Sequence, residues 1–249
     1  MRAIAWGSAV VLLLASDAFA QSADPPLENK KLAVSTLVRE DIFAGWREND
    51  MDRFARGEKN LELLLEQRPR NKAELLAWKG GTKLYRAILA QDAGQPEEFE
   101  RLYQEARDCF VEAKKLGPQH AAVAAIVGGS YVFFGDRLPE KYRAAAWTEG
   151  YDNYQILWSQ QSRGIERLPL HIAGELLAGM AQSADRTGRK AERDEYLDKI
   201  IQLLPDSGYG AVAKAWKADP TASANSNLSC KSCHAQGRLA ERIAAIEGK

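Results

Sequence analysis

The sequence predicts an all-α fold, a stack of helical hairpins followed by a short C-terminal helix. Three observations predict it. From Leu32 onward apolar residues recur at helical spacing almost everywhere. Proline interrupts that pattern at regular intervals, at positions 69, 96, 118, 139, 169 and 205. Strand signals are scarce, because β-branched residues are few and no alternating run extends beyond a few residues.

The chain opens with Met1-Arg2, an apolar run from Ala9 to Ala15, and Ala18-Phe19-Ala20. A basic start, a short apolar stretch and an A-x-A site are the parts of a secretory signal peptide, so residues 1–20 are expected to be removed after Ala20 and the mature protein to be exported to the periplasm. No Cys follows the cleavage site, which argues against a lipoprotein anchor. Residues 21–31, with Pro25-Pro26, form a polar tail. No later stretch approaches 18 uncharged apolar residues, so the mature chain is expected to have no membrane span.

Residues 32–206 carry the repeated pattern. Leu32 to Trp46 pairs with Phe54 to Arg68, whose inner face holds Leu61, Leu64 and Leu65. A second hairpin begins near Asn71 and ends at Pro118. Ala121 to Phe134 reads as a small-residue helix, with Gly128-Gly129 at a tight contact. Pro139 opens its partner, which runs to about Gln161. Pro169 opens the next helix, with Leu176, Leu177 and Met180 inward; Thr187-Gly188 makes the turn, and Lys190 to Leu204 returns to Pro205. About four hairpins result, and such stacks offer a concave surface to partners.

The second hairpin has the most specific pattern. Trp78 and Tyr85 are seven apart on one helix, and Ala106, Phe110, Ala113 and Pro118 follow at offsets of 0, 4, 7 and 12. Here the chain resembles the tetratricopeptide repeat family, whose first helix carries that Trp and Tyr and whose second carries that Ala, Phe, Ala and terminal Pro. The resemblance implies TPR-like stacked helical hairpins. Two departures stand out. Tyr85 and Ala106 lie 21 apart, against about nine in the family, so an insert around residues 92–98 must lengthen the hairpin. Gly81 stands where the family usually has Leu.

Residues 207–229 hold a short helix, with Tyr209, Val212 and Trp216 on one face, and a polar linker from Asp219 to Asn227. Residues 230–249 form the last helix, with Ser229 as its N-cap and Leu239, Ile243 and Ile246 as an apolar stripe.

That last segment begins with Cys230-Lys231-Ser232-Cys233-His234, the C-x-x-C-H pattern. Two thiols at this spacing can both add to the vinyl groups of one haem, and the adjacent imidazole falls under the iron. With three Cys and three His in 249 residues, composition alone predicts on the order of 4 × 10⁻⁴ such matches. At these residues the chain resembles the c-type cytochromes. The resemblance implies one covalent haem c held by Cys230 and Cys233, with His234 as proximal iron ligand, and a role in one-electron transfer. The motif near the chain's end is similar to the layout of the class II cytochromes, where it lies on the last helix of an all-α bundle.

Only 15 residues follow His234, and none is Met or His. A sixth iron ligand must therefore come from earlier in the chain or be absent. The candidates are His171, the favoured one, His120, Met51 and Met180. Met180 shares a face with Leu176 and Leu177 and reads as core; Met51 lies at a turn among charged residues and is expected to be exposed.

Other readings of the motif stay open. A zinc site using Cys230, Cys233 and His234 lacks a fourth ligand, and adjacent Cys233 and His234 are poorly placed around one tetrahedral ion. A redox dithiol belongs on a βαβ unit, which this pattern lacks. A five-coordinate haem would make the protein a ligand sensor or weak peroxidase, and a non-haem scaffold would use the Cys pair structurally. Cys109 adjoins Phe110 and is expected to be a small buried hydrophobe. Trp147, Tyr151, Tyr154 and Trp158 share one helix face, as interhelical core or as an aromatic wall; Trp46 and Trp78 are expected to pack hairpins together.

Lys+Arg and Asp+Glu both number 34, so nothing suggests nucleic acid or a polybasic membrane contact. There is no phosphate loop, H-E-x-x-H or nucleophile elbow, and the carboxylates form no pair singled out for acid/base work. An electron carrier or scaffold is therefore expected rather than a catalyst, docking another periplasmic redox protein.

Overall fold

A computed structural model describes residues 31–219, together with Ala244, Ala245 and Gly248. The expected signal peptide, the polar tail up to residue 30, the linker from residue 220 and the C-x-x-C-H residues lie outside the described residues.

The described residues form nine α-helices and no strand. Eight pair as consecutive hairpins: α1 (Val34–Glu48) with α2 (Met51–Gln67), α3 (Lys72–Asp92) with α4 (Pro96–Leu116), α5 (Ala121–Phe134) with α6 (Glu140–Gln161), and α7 (Leu170–Arg186) with α8 (Lys190–Leu203). The short α9 (Gly208–Ala218) packs on α8. The odd-numbered helices α1, α3, α5 and α7 neighbour one another in turn. This is the all-α stack of helical pairs that the proline spacing predicts.

Local chemistry explains the boundaries. Asn49 adopts φ 57°, in the left-handed region, and ends α1. The Asp50 carboxylate then accepts from the Arg53 backbone N–H at 3.0 Å, so α2 starts at Met51, three residues before the apolar pattern becomes evident at Phe54. In α4, Pro96 takes the first turn with Glu97 and Glu98, and Lys114 and Lys115 occupy the last turn, matching the helix dipole at both ends. The insert between Tyr85 and Ala106 extends both helices of its hairpin to 21 residues each and leaves only a tight turn, with Gly94 at φ 68°. Short 3-10 segments at Pro69–Asn71, Gly135–Arg137 and Ser162–Arg167 connect helices where the sequence pattern shows only breaks.

The core runs along the whole stack. Phe54, Phe99, Phe110 and Trp216 are among its fully buried side chains, and Leu176, Leu177 and Met180 are buried as the spacing predicts. Ring-on-glycine contacts set the helix spacing. A Cβ at Gly80 would sit 2.5 Å from the Phe110 ring, and one at Gly179 would sit 2.1 Å from the Tyr154 ring. Gly128 is less tightly held, with Tyr154 and Asn153 at 3.0 and 3.1 Å from its ideal Cβ. Gly129 departs from the expected tight contact, because the only neighbour of its ideal Cβ is the Tyr154 hydroxyl, 3.9 Å away.

Polar links hold the pairs in register. Asp41 of α1 is buried and accepts from Arg53 Nε at 3.2 Å and from Arg56 at 2.8 Å, both on α2. Glu74, in the first turn of α3, accepts from the Ser35 backbone N–H of α1 at 3.1 Å. Burial pushes the Glu74 carboxyl above its usual range, and the Ser35 hydrogen bond opposes this only in part.

Two predictions follow from these contacts. Gly179→Ala should destabilise the protein by about 1–3 kcal/mol through overpacking against Tyr154, outweighing the roughly 1 kcal/mol that Ala gains in a helix. Gly129→Ala should instead stabilise it by up to about 1 kcal/mol, since its Cβ meets open space; urea unfolding midpoints of the pair check both signs. Glu74 holds its proton more tightly folded than unfolded, so its contribution is fully present below the unfolded pKa and is lost as pH rises through the folded one. Glu74→Gln should therefore gain stability relative to the wild type as pH rises from about 4 to about 7, read as a widening difference in Tm.

Candidate functional site

Helices α1, α3, α5 and α7, with residues of α2 and α6, line a cavity of about 410 Å³, within the roughly 300–1,000 Å³ typical of small-molecule sites. Its walls are aromatic. Trp46, at the C-terminal end of α1, stacks edge-on against Phe133 of α5, with centroids 4.2 Å apart, and lies 5.5 Å from Tyr85 of α3. Tyr85 in turn stacks on Phe134 at 5.8 Å. These rings place an apolar surface where three hairpins meet. Burial raises the Tyr85 hydroxyl pKa above its usual value, so Tyr85 remains a neutral wall residue near pH 7.

The floor is built from residues without bulk. Gly81 of α3 and Ala122, Ala125 and Gly129 of α5 all face the cavity. An ideal Cβ at Gly81 meets only the Ser130 hydroxyl at 3.1 Å. Gly81 is the position at which the sequence departs from the repeat family's Leu, and the absence of that side chain is part of what opens the space. Ser35 of α1, Ser130 of α5, Gln161 of α6, and His171 and Glu175 of α7 add polar groups to the lining.

Glu175 also ties α9 to α7. The Tyr209 hydroxyl donates to Glu175, and the Tyr209 ring occupies the space beside Gly174, 2.4 Å from an ideal Cβ there. Ser207 caps α9, accepting from the Gly210 backbone N–H at 3.1 Å. The start of α9 is therefore anchored through Tyr209 to Glu175, which lies one turn beyond His171 on α7.

The structure separates the sequence's candidate ligands. Among His120, His171, Met51 and Met180, only His171 lines the cavity. His120 is exposed at the start of α5. Met180 is fully buried in the core. Met51 is not exposed as expected: as the first residue of α2 it lies half-buried against the core, because the Asp50 cap draws it into the helix. Cys230, Cys233 and His234 lie outside the described residues. Among the described residues, no three His, Cys, Asp or Glu side chains are grouped to hold a metal ion, and no helix is long and apolar enough to cross a membrane.

The aromatic stripe on α6 is interhelical packing along most of its length. Trp147 Nε1 donates to Asp136 at 3.1 Å under the Arg186 guanidinium, Tyr151 donates to Glu192, and Trp158 meets Tyr196 edge-on at 5.2 Å. Tyr154 alone of the four also reaches the cavity. Trp46 and Trp78 join hairpins as expected, and they also form cavity wall, a role that the sequence reading missed. The available signal was the shared face of Trp78, Gly81 and Tyr85 on a first helix of the repeat. Cys109 is half-buried rather than enclosed, and burial raises its thiol pKa.

No protein-family profile, no curated protein and no solved structure matches the chain.

Proposed function

We propose that the protein is an exported c-type cytochrome that carries one covalent haem c and exchanges single electrons with another periplasmic redox protein. The observation that carries this reading is Cys230-Lys231-Ser232-Cys233-His234. Cys230 and Cys233 would hold the group, each thiol adding across one vinyl group to form a C–S bond and passing its proton to the neighbouring carbon, so that nothing would be released and no oxidant consumed, and His234 would supply an imidazole to its iron. The bound group contributes a one-electron Fe(III)/Fe(II) couple, and the partner is oxidised or reduced by the same single electron.

Three features support the reading. Residues 1–20 have the parts of an export signal, and export places the thiols where haem attachment takes place. The helical pairs offer a rigid docking frame, as stacked hairpins do generally. The balanced charge favours a protein partner over nucleic acid.

Matured with the bacterial haem-attachment machinery, the wild type should show the mass of one added haem and the pyridine haemochrome band of a c-type haem. Cys230→Ser combined with Cys233→Ser should lose both signals while keeping its helical circular dichroism. A wild-type protein without covalent haem under these conditions refutes the proposal.

A further inference from the structure

The segment that bears the motif cannot enclose a haem by itself. Residues 230–249 contain only three large apolar side chains, Leu239, Ile243 and Ile246. Chains this short do not build a core of their own. Residues 235–249 contain neither Met nor His and so offer no second axial ligand of that kind. The apolar cover, and any sixth ligand drawn from this chain, would come from other residues.

The cavity along α1, α3, α5 and α7 has what is missing. Its walls include the aromatic rings of Trp46, Trp78, Tyr85 and Phe133, and His171 adds an imidazole to the lining. The lining near that imidazole is mixed: Gln161 and Glu175 share the cavity with it, while Leu170 and Ile172, which bracket His171 in sequence, are 53% and 38% exposed. They are two of the four large hydrophobics that stand exposed among the described residues. At Gly129 the wall is open, so a side chain added there would project into the cavity. An imidazole beside an apolar, ring-lined space is a donor set suited to a haem face.

The tether reaches. Tyr209 anchors the start of α9 beside Glu175, one turn from His171. The 11 residues of α9 carry the chain at most about 16 Å away. From Asp219 to Cys230 the chain can span up to about 36 Å. Even if α9 points directly away from the cavity, the linker can bring Cys230 back with length to spare.

We infer that this cavity is the seat of the haem carried by Cys230 and Cys233, with His171 as the second axial ligand opposite His234. The inference rests on the haem reading above and adds to it the place where the C-terminal segment docks. The haem is then held between two parts of one chain, the tethered segment on one face and α7 on the other. Its iron is six-coordinate, and its apolar cover comes from hairpins distant in sequence.

The test uses the full chain with its haem attached. Ferric wild-type protein should give the absorption and electron paramagnetic resonance spectra of low-spin, six-coordinate haem. His171→Ala should convert most of the population to high spin, with the haem mass unchanged. Gly129→Leu keeps His171 and favours the helix but fills the cavity, and it should produce the same conversion at least in part, with unaltered helical circular dichroism. A high-spin wild type, or haem-loaded variants whose spectra both match a low-spin wild type, overturns the inference and leaves the haem reading standing. Absence of haem by mass overturns both, so the two failures are distinguishable.

Discussion

The structure depends on aromatic rings seated on glycines. Phe110 fills the space beside Gly80 and sets the separation of α3 and α4. Tyr154 does the same on Gly179 for α6 and α7, and Tyr209 on Gly174 for α7 and α9. A methyl group at any of these glycines would overlap a buried ring, so helix spacing in the middle and at the end of the stack is fixed by the absence of three side chains. Gly81 and Gly129 lack side chains for a different reason. Nothing close fills the space beside Gly129, and beside Gly81 only Ser130 Oγ comes within reach. The same residue type thus closes the packing on one side of the helices and opens a cavity on the other.

Tyr154 connects these two roles. Its ring is buried against Gly179, holding α6 on α7, and its hydroxyl end lies at the cavity near Gly129. Whatever enters the cavity meets a wall whose position is set by core packing, not by a surface loop. Sites built on such elements hold their geometry better than sites on loops.

The helical stack was legible because proline, glycine and apolar spacing act locally. Pro139 and Pro169 stand at the starts of α6 and α7, Gly188 closes the turn after α7 at φ 78°, and Leu176, Leu177 and Met180 lie inward. The one large departure from the repeat pattern was also readable, since extra residues between Tyr85 and Ala106 had to lengthen helices or form a loop. The cavity was not legible, because it depends on which faces of α1, α3, α5 and α7 converge, and that is a tertiary fact. Trp46 and Phe133 are 87 positions apart in the chain, yet their ring centroids lie 4.2 Å from each other. His171 could be named from the sequence only as one of four candidates; its place beside that aromatic wall distinguishes it from His120, Met51 and Met180. The C-x-x-C-H pattern is the opposite case, carried entirely by local spacing and owing nothing to the fold.

The central claim is that a haem borne by residues 230–249 lies in the cavity lined chiefly by α1, α3, α5 and α7. Backbone amide shifts of the isotope-labelled, haem-loaded protein, compared between the ferric and ferrous states, test it most directly. The account predicts large paramagnetic changes at Gly81, Gly129 and His171, and little change along the outer helices α4 and α8. Changes confined to residues after Asp219 would contradict it.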